Sequence, residues 1–294
     1  MNTQTKNSLL LLLCSFIWGT AFVAQSAGSG MGAYSFLAGR SWLAVLVLLP
    51  TVKVFDLVRQ RSTGTTGAPK TPEERRCLRK ASLVCGTLLF VASAAQQFGL
   101  TLNPSTAKAG FLTAMYVVLV PIFGLALGRR GSPQLWLSVA IAVCGLYLLC
   151  IGEDFSIAPG DGLLILCALC FSGHILVVDH FSRLTDCVKM SCLQFATASV
   201  LCMGVAVFTE PIDAGTIVQC AVPLLYAGVL SGAVGYTLQI VAQKDTDPTV
   251  ASLLMSLESV FAVLAGWVLL GDMLTAREAL GCVLMMGGIV LAQL

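Results

Sequence analysis

Charge is what this sequence has least of. Only 11% of its 294 residues are Asp, Glu, Lys or Arg, against about a quarter in ordinary soluble domains. Histidine is scarcer still, at two residues, and 17 basic against 15 acidic side chains leave a net charge of +2. So even a balance offers no basic surface for nucleic acid, and no nucleic-acid partner is expected. With 57% hydrophobic residues the chain is too apolar for disorder and has too little polar surface to cover itself in water. The phosphate-cradling pattern GxxxxGK[ST] is missing, which argues against nucleotide-driven pumping. Paired metal-ligand clusters are missing as well: Cys167-Ala168-Leu169-Cys170 stands alone inside an apolar run, whereas a structural zinc site needs a second pair. No metal and no cofactor is expected. Cysteine is plentiful at twelve, but Cys14, Cys85, Cys144, Cys150, Cys167, Cys170, Cys192, Cys202 and Cys282 lie within apolar runs, where a thiol packs as a small hydrophobe.

Long apolar runs are what the chain does have. About 20 such residues cross about 30 Å of hydrocarbon, and ten runs qualify, near 8–25, 32–51, 81–100, 108–127, 133–151, 161–179, 189–208, 220–241, 250–270 and 276–293. The fold class expected is therefore an all-α polytopic membrane protein with the lipid bilayer as its solvent. The first run follows Lys6 and is expected to stay as a span, because no small-residue cleavage pattern follows it. Basic residues remain cytoplasmic. With the amino terminus inside, the inner segments hold Lys6, eight residues between 51 and 80, Arg129, Arg130, Arg183, Lys189 and Lys244, whereas the outer segments hold Lys108 and Arg277. This asymmetry predicts a cell-membrane protein with both termini cytoplasmic and one long inner loop, 52–80.

The two halves resemble each other. Gly86 matches Gly228, Gln97 matches Gln239, AGFL at 109–112 matches ASLL at 251–254 and Gly124 matches Gly266, all at an offset of 142; Gly145 matches Gly288 after a slip of one. LLLCSFIWG at 11–19 aligns with LILCALCFS at 164–172. Residues 1–151 and 152–294 thus form two units of five spans. An odd number of spans inverts the second unit, and inverted repeats place a binding site near the midplane between them. Gly124 with Gly128 and Gly228 with Gly232 have the spacing that lets helix backbones approach. Pro121, whose counterpart is Val263, predicts a kink in the fourth span.

The stretch LLYAGVLSGAVGYTLQIVAQKDTDPTVASLLMSLESVFAVLAGWVLLGD at 224–272, FIWGTAFVAQ at 16–25 and the lone Arg40 resemble the drug/metabolite transporter superfamily, EamA-type branch. The resemblance spans nearly the whole chain. It implies ten helices in two inverted five-helix repeats, a central cavity, peripheral fifth and tenth helices that support homodimers, and export or exchange of small metabolites such as amino acids. Two departures stand out. The fourth span ends in Gly128-Arg129-Arg130 where Glu is common, and Ser259 follows Glu258 where Pro is common, which predicts a straighter ninth helix.

An ionisable group in lipid costs about 2.5–3.5 kcal/mol on insertion scales, so it should face an aqueous cavity or a partner. Arg40 lies about 12 Å deep from outside at 1.5 Å per residue. Glu258 lies at a similar depth from the cytoplasmic side. Two readings follow: the two side chains pair and lock the halves together, or Arg40 grips a substrate carboxylate while Glu258 binds a proton or a substrate ammonium. His174 in the sixth span is a second proton-coupling candidate. Repeat counterparts add Tyr116 opposite Glu258, Gln194 opposite Arg40, and Gln97 opposite Gln239, while Trp18 and Tyr236 supply stacking walls. The function expected is a secondary carrier of a small-molecule substrate, working by alternating access. A non-transporting sensor or partner subunit is the alternative. An enzyme is not expected and no residue is assigned a catalytic role, because Ser29 and His174, the one nucleophile and base to consider, belong to opposite sides of the bilayer.

Overall fold

The computed structural model describes every residue except 1, 29, 66, 70, 103–105, 152–157, 212 and 271–274, and gives only the backbone of 23, 26, 27, 106, 107, 269 and 270. Ser29 and Lys70 therefore lie outside the described residues. Among the described residues ten helices are long and apolar enough to cross a membrane. In chain order they are α1 (Thr3–Ala27), α2 (Ala33–Thr63), α3 (Pro72–Thr101), α4 (Lys108–Ala126), α5 (Pro133–Cys150), α6 (Asp161–Ser182), α7 (Cys187–Thr209), α8 (Ala221–Gln243), α9 (Pro248–Val268) and α10 (Ala276–Gln293).

Local chemistry sets the starts of these helices. The side chains of Thr71, Ser132, Asp186 and Asp247 each accept a backbone N–H from the first turn of α3, α5, α7 and α9. Pro72, Pro133 and Pro248 occupy first-turn positions where a missing N–H costs nothing. Thr275 and Glu278 form a reciprocal capping box at α10. Outward faces are apolar, with Phe208 88% exposed and Leu46 and Val200 each 61% exposed. A surface of that kind is stable only against lipid. Both termini lie at one end, where Ser8 Oγ donates to Gln293 Oε1 at 3.2 Å.

Packing follows a two-fold pattern. α1 packs on α8 and α9, and its counterpart α6 packs on α3 and α4. α2 packs on α8 as α7 packs on α3, while α2 meets α7, α4 meets α9 and α5 meets α10 across the axis. Neither five-helix unit buries its faces alone, so each completes the other. Where α5 meets α10, a Cβ built on Gly145 would sit 2.7 Å from Gly281 O, and one on Gly281 2.6 Å from Gly145 O. Gly228 is equally confined, its Cβ position 2.8 Å from Arg40 O, and Gly232 is pressed to 3.2 Å from Ala44 Cβ. The matching expectation for Gly124 and Gly128 fails: a Cβ on Gly124 meets nothing nearer than 3.7 Å, and Gly128 has open space around it. Gly128 instead ends α4 with φ of 81°, a left-handed turn that suits a residue without Cβ.

Two further expectations are corrected. The α4 break falls at Met115, between helical segments Thr106–Ala114 and Tyr116–Ala126, and not at Pro121, which lies within the second segment. α9 breaks at the counterpart position, at Ser256 and Leu257, despite the absence of proline after Glu258. Tight bonds to the third residue back produce both turns: Met115 N donates to Leu112 O and Leu257 N to Leu254 O, each at 3.3 Å. Tyr116 and Glu258 are thus the first residues after two equivalent interruptions near mid-span.

Candidate functional site

A cavity of about 560 Å³, its mouth included, lies between the two repeats. Trp18, Ala21, Phe22 and Gln25 on α1 and Gln96 on α3 carry it toward the end away from the termini. On the other side the path is filled. Gln243 Nε2 donates to Ile175 O at 3.3 Å. One turn further along α6, Asp179 is 1% exposed and accepts from Arg129 at 2.5 Å and from Arg183 at 2.9 Å.

The wall has two charged poles. Arg40, 6% exposed, donates from Nη2 to Ser93 Oγ at 3.0 Å. Among the described residues no carboxylate lies within 4.0 Å of it, and one hydroxyl occupies only one of five guanidinium donors. The ion pair with Glu258, one of the two sequence readings, does not form. Glu258 instead accepts from the Tyr116 hydroxyl at 3.0 Å. Tyr116 and Glu258 are repeat counterparts, separated by 142 residues. Two equivalent residues can touch only at the axis that exchanges them, so this hydrogen bond marks the pseudo-two-fold axis, and the cavity sits on it. A Cβ on Gly19 would lie 2.5 Å from Glu258 O; glycine there lets α1 lie directly against the backbone that carries this carboxyl.

Aromatic rings form the remainder of the wall. Trp18 and Tyr236 have ring centroids 4.7 Å apart at 53°, and the Trp18 indole donates to Ser231 O at 3.2 Å. That carbonyl is within a π-helical stretch, Tyr226–Gly235, in the middle of α8. Such stretches leave carbonyls out of the regular ladder and cluster at functional sites. Phe171 faces the cavity from the other repeat. It is the counterpart of Trp18 in the 11–19 and 164–172 alignment, so the repeat carried a signal for it that a search for polar residues passes over.

The EamA-like transporter family model matches residues 5–151 and 158–294. The chain belongs to the EamA-like transporter family. An uncharacterized transporter of Archaeoglobus fulgidus is 29% identical over 289 residues, covering 97% of this chain and 84% of the relative. A crystal structure of an unnamed protein superposes with a TM-score of 0.78 at 16% identity, covering 98% of this chain and 96% of that one. That likeness is one of fold. As an EamA-like chain of the drug/metabolite transporter superfamily, this is a multi-pass membrane transporter built of two five-helix repeats.

Of the residues expected to line the EamA-type cavity, Trp18, Arg40, Tyr116, Tyr236, Gln239, Glu258 and His174 do lie on its wall. Gln194 lies behind it, with Oε1 3.1 Å from His174 Nε2. Gln97 does not reach the wall; its neighbour Gln96 does. The π-helical stretch explains the exchange. Near its start, at Gly228, the offset of 142 is structurally true: Gly86 packs on α7 at Gln194 O and Thr197, and Gly228 packs on α2 at Arg40 O and Leu43. The stretch takes up one residue more than the regular α3, so beyond it each α8 residue faces where the α3 residue one position earlier faces. Gln239 is therefore matched in space by Gln96. Gln25 on α1 had no signal in the repeat at all. Lys108, expected in an outer loop, is buried in an ion pair with Asp161 at 2.6 Å. All twelve cysteines are free thiols.

Proposed function

We propose that this protein is a secondary transporter that moves a small zwitterionic metabolite, an amino acid or a close relative, by export or exchange through alternating access. The observation that carries this reading is the pair of separated poles in one cavity: Arg40 with unmatched donors, and Glu258 held by Tyr116. A guanidinium binds a carboxylate bidentately, and a carboxylate at the other pole suits an ammonium or a proton, so a ligand carrying both charges satisfies both. The aromatic walls exclude water around it and strengthen each interaction.

The filled side at Gln243 and Asp179 and the cavity's reach toward the opposite end suit one half of a rocking cycle in which the repeats exchange accessible sides. The basic-loop asymmetry supports placing the termini, and with them the filled side, in the cytoplasm of a cell-membrane protein. Glu258 is the proton site if transport is coupled, with His174 behind it. The exposed apolar faces of α5 and α10 suit a homodimer.

The test is flux from proteoliposomes across a panel of metabolites with the wild type and Glu258→Gln. Amino-acid movement by the wild type that the variant loses supports the reading. Retention of every zwitterion by wild-type vesicles that bind them normally points to a sensor, and overturns it.

A further inference from the structure

Among the described residues three on the cavity wall have a buried polar atom without a partner, Thr113 Oγ1, His174 Nδ1 and Gln239 Oε1, and the last two bear on the ligand. Gln243, fully buried, uses its Nε2 on Ile175 O at 3.3 Å, which turns its Oε1 toward Gln239. That oxygen accepts from Gln239 Nε2 at 2.9 Å. The chain of bonds fixes which way the Gln239 amide points, and its Oε1 is buried with no donor. From α7 the side-chain amide of Gln194 meets His174 Nε2 on α6, with Oε1 at 3.1 Å. His174 Nδ1 and Gln194 Nε2 are both buried without a partner, and in the tautomer whose Nε2–H donates to the Gln194 oxygen, His174 Nδ1 is an acceptor.

Gln239 and His174 both adjoin Tyr236. Tyr236 lies one turn before Gln239 on α8, and its ring is 6.0 Å from the His174 ring. Both residues line the same cavity as Glu258. A buried acceptor without a donor is costly, and native proteins leave few of them unexplained. Arg40, the cation of the cavity, makes its one side-chain hydrogen bond among the described residues to Ser93, and neither acceptor is among its partners.

We propose that Gln239 Oε1 and His174 Nδ1 form an acceptor subsite that selects substrates whose variable group carries N–H bonds, an amide or an amine, over those with an apolar or acidic one. This rests on the zwitterion reading and deepens it: the poles hold the charged ends and the subsite reads the side chain. A ligand without donors would leave both acceptors buried and dry, and sites of this kind reject such analogues strongly.

The experiment is a thermal-shift titration of the purified full-length chain with norleucine, glutamine, lysine and glutamate, each shift converted to a Kd. Glutamine and lysine should bind at least tenfold tighter than norleucine, with glutamate weakest. In Gln239→Met, of similar length but without an acceptor, the glutamine-to-norleucine ratio should fall below about threefold. Equal wild-type affinities for norleucine and glutamine overturn the subsite and leave the zwitterion reading standing. If none of the four probes shifts the melting, the zwitterion reading falls and the subsite with it. Because the wild-type ratio is decisive, a variant that fails to fold does not protect the proposal.

Discussion

Substituting the adjacent glutamines of α3 tests the phase argument that places Gln96 and not Gln97 in the site. A helix turns about 100° per residue, so a single-residue slip between the repeats moves a side chain from the cavity to the packed interior. Gln96 is on the cavity wall, and Gln96→Leu removes a hydrogen-bonding group worth about 1 kcal/mol to a bound polar ligand, roughly a fivefold loss in kcat/KM at about 1.4 kcal/mol per tenfold. Gln97 is 7% exposed and its Oε1 is buried without a partner. Gln97→Leu replaces that oxygen with an apolar group of similar size, which is neutral or stabilising. The assay is vesicle flux beside a melting curve in detergent. Loss of flux in Gln96→Leu, with Gln97→Leu unchanged in flux and equal or higher in Tm, is the expected result. The reverse pattern, with Gln97→Leu impaired and Gln96→Leu silent, refutes the phase shift and restores the simple offset of 142.

Other substitutions probe the remaining parts of the structure. Gly145→Ala puts a methyl 2.7 Å from Gly281 O, at least 0.5 Å inside ordinary contact, and should destabilise the α5 and α10 pair by about 1–3 kcal/mol; an unchanged melting curve argues against that close approach. Arg40→Lys keeps the charge but loses the fork that matches a carboxylate, so carboxylate substrates should lose at least tenfold in KM with expression intact, and unaltered uptake removes Arg40 from the site. Any dependence of transport on a pH gradient should vanish in Glu258→Gln; a gradient response surviving in that variant assigns the proton elsewhere. Asp179→Asn weakens the hold on Arg129 and Arg183, and should raise labelling of a cysteine introduced on the cavity wall by Met255→Cys with thiol reagents applied from the terminal side, whereas identical labelling shows that this cluster does not seal the path.

Much of this architecture is written in composition and periodicity. Shortage of charge demands lipid, and lipid demands that every backbone group be paired within a helix, so ten apolar runs become ten spans whatever their packing. The duplication is equally legible, because counterpart residues such as Gly86 and Gly228 or Gly124 and Gly266 keep their identity at one offset. Once the second unit is inverted, an axis between the repeats follows from symmetry.

Contacts in three dimensions settled the rest. Arg40 and Glu258 were natural ion-pair partners by depth, yet Ser93 and Tyr116 took one bond from each, because helix rotation places those hydroxyls nearer than the opposite charge. Both mid-span breaks fell at Met115 and Leu257, where local turns tighten, and neither required the proline that periodicity reading relies on. Gln96 replaced Gln97 because a π-helical stretch in α8 changes the facing of everything after it, and no propensity marks where a helix will take an extra residue. A linear pattern records which side chains are present and how they repeat; rotation about each helix axis is set by neighbours packing against it, and that rotation determines which polar groups meet the cavity.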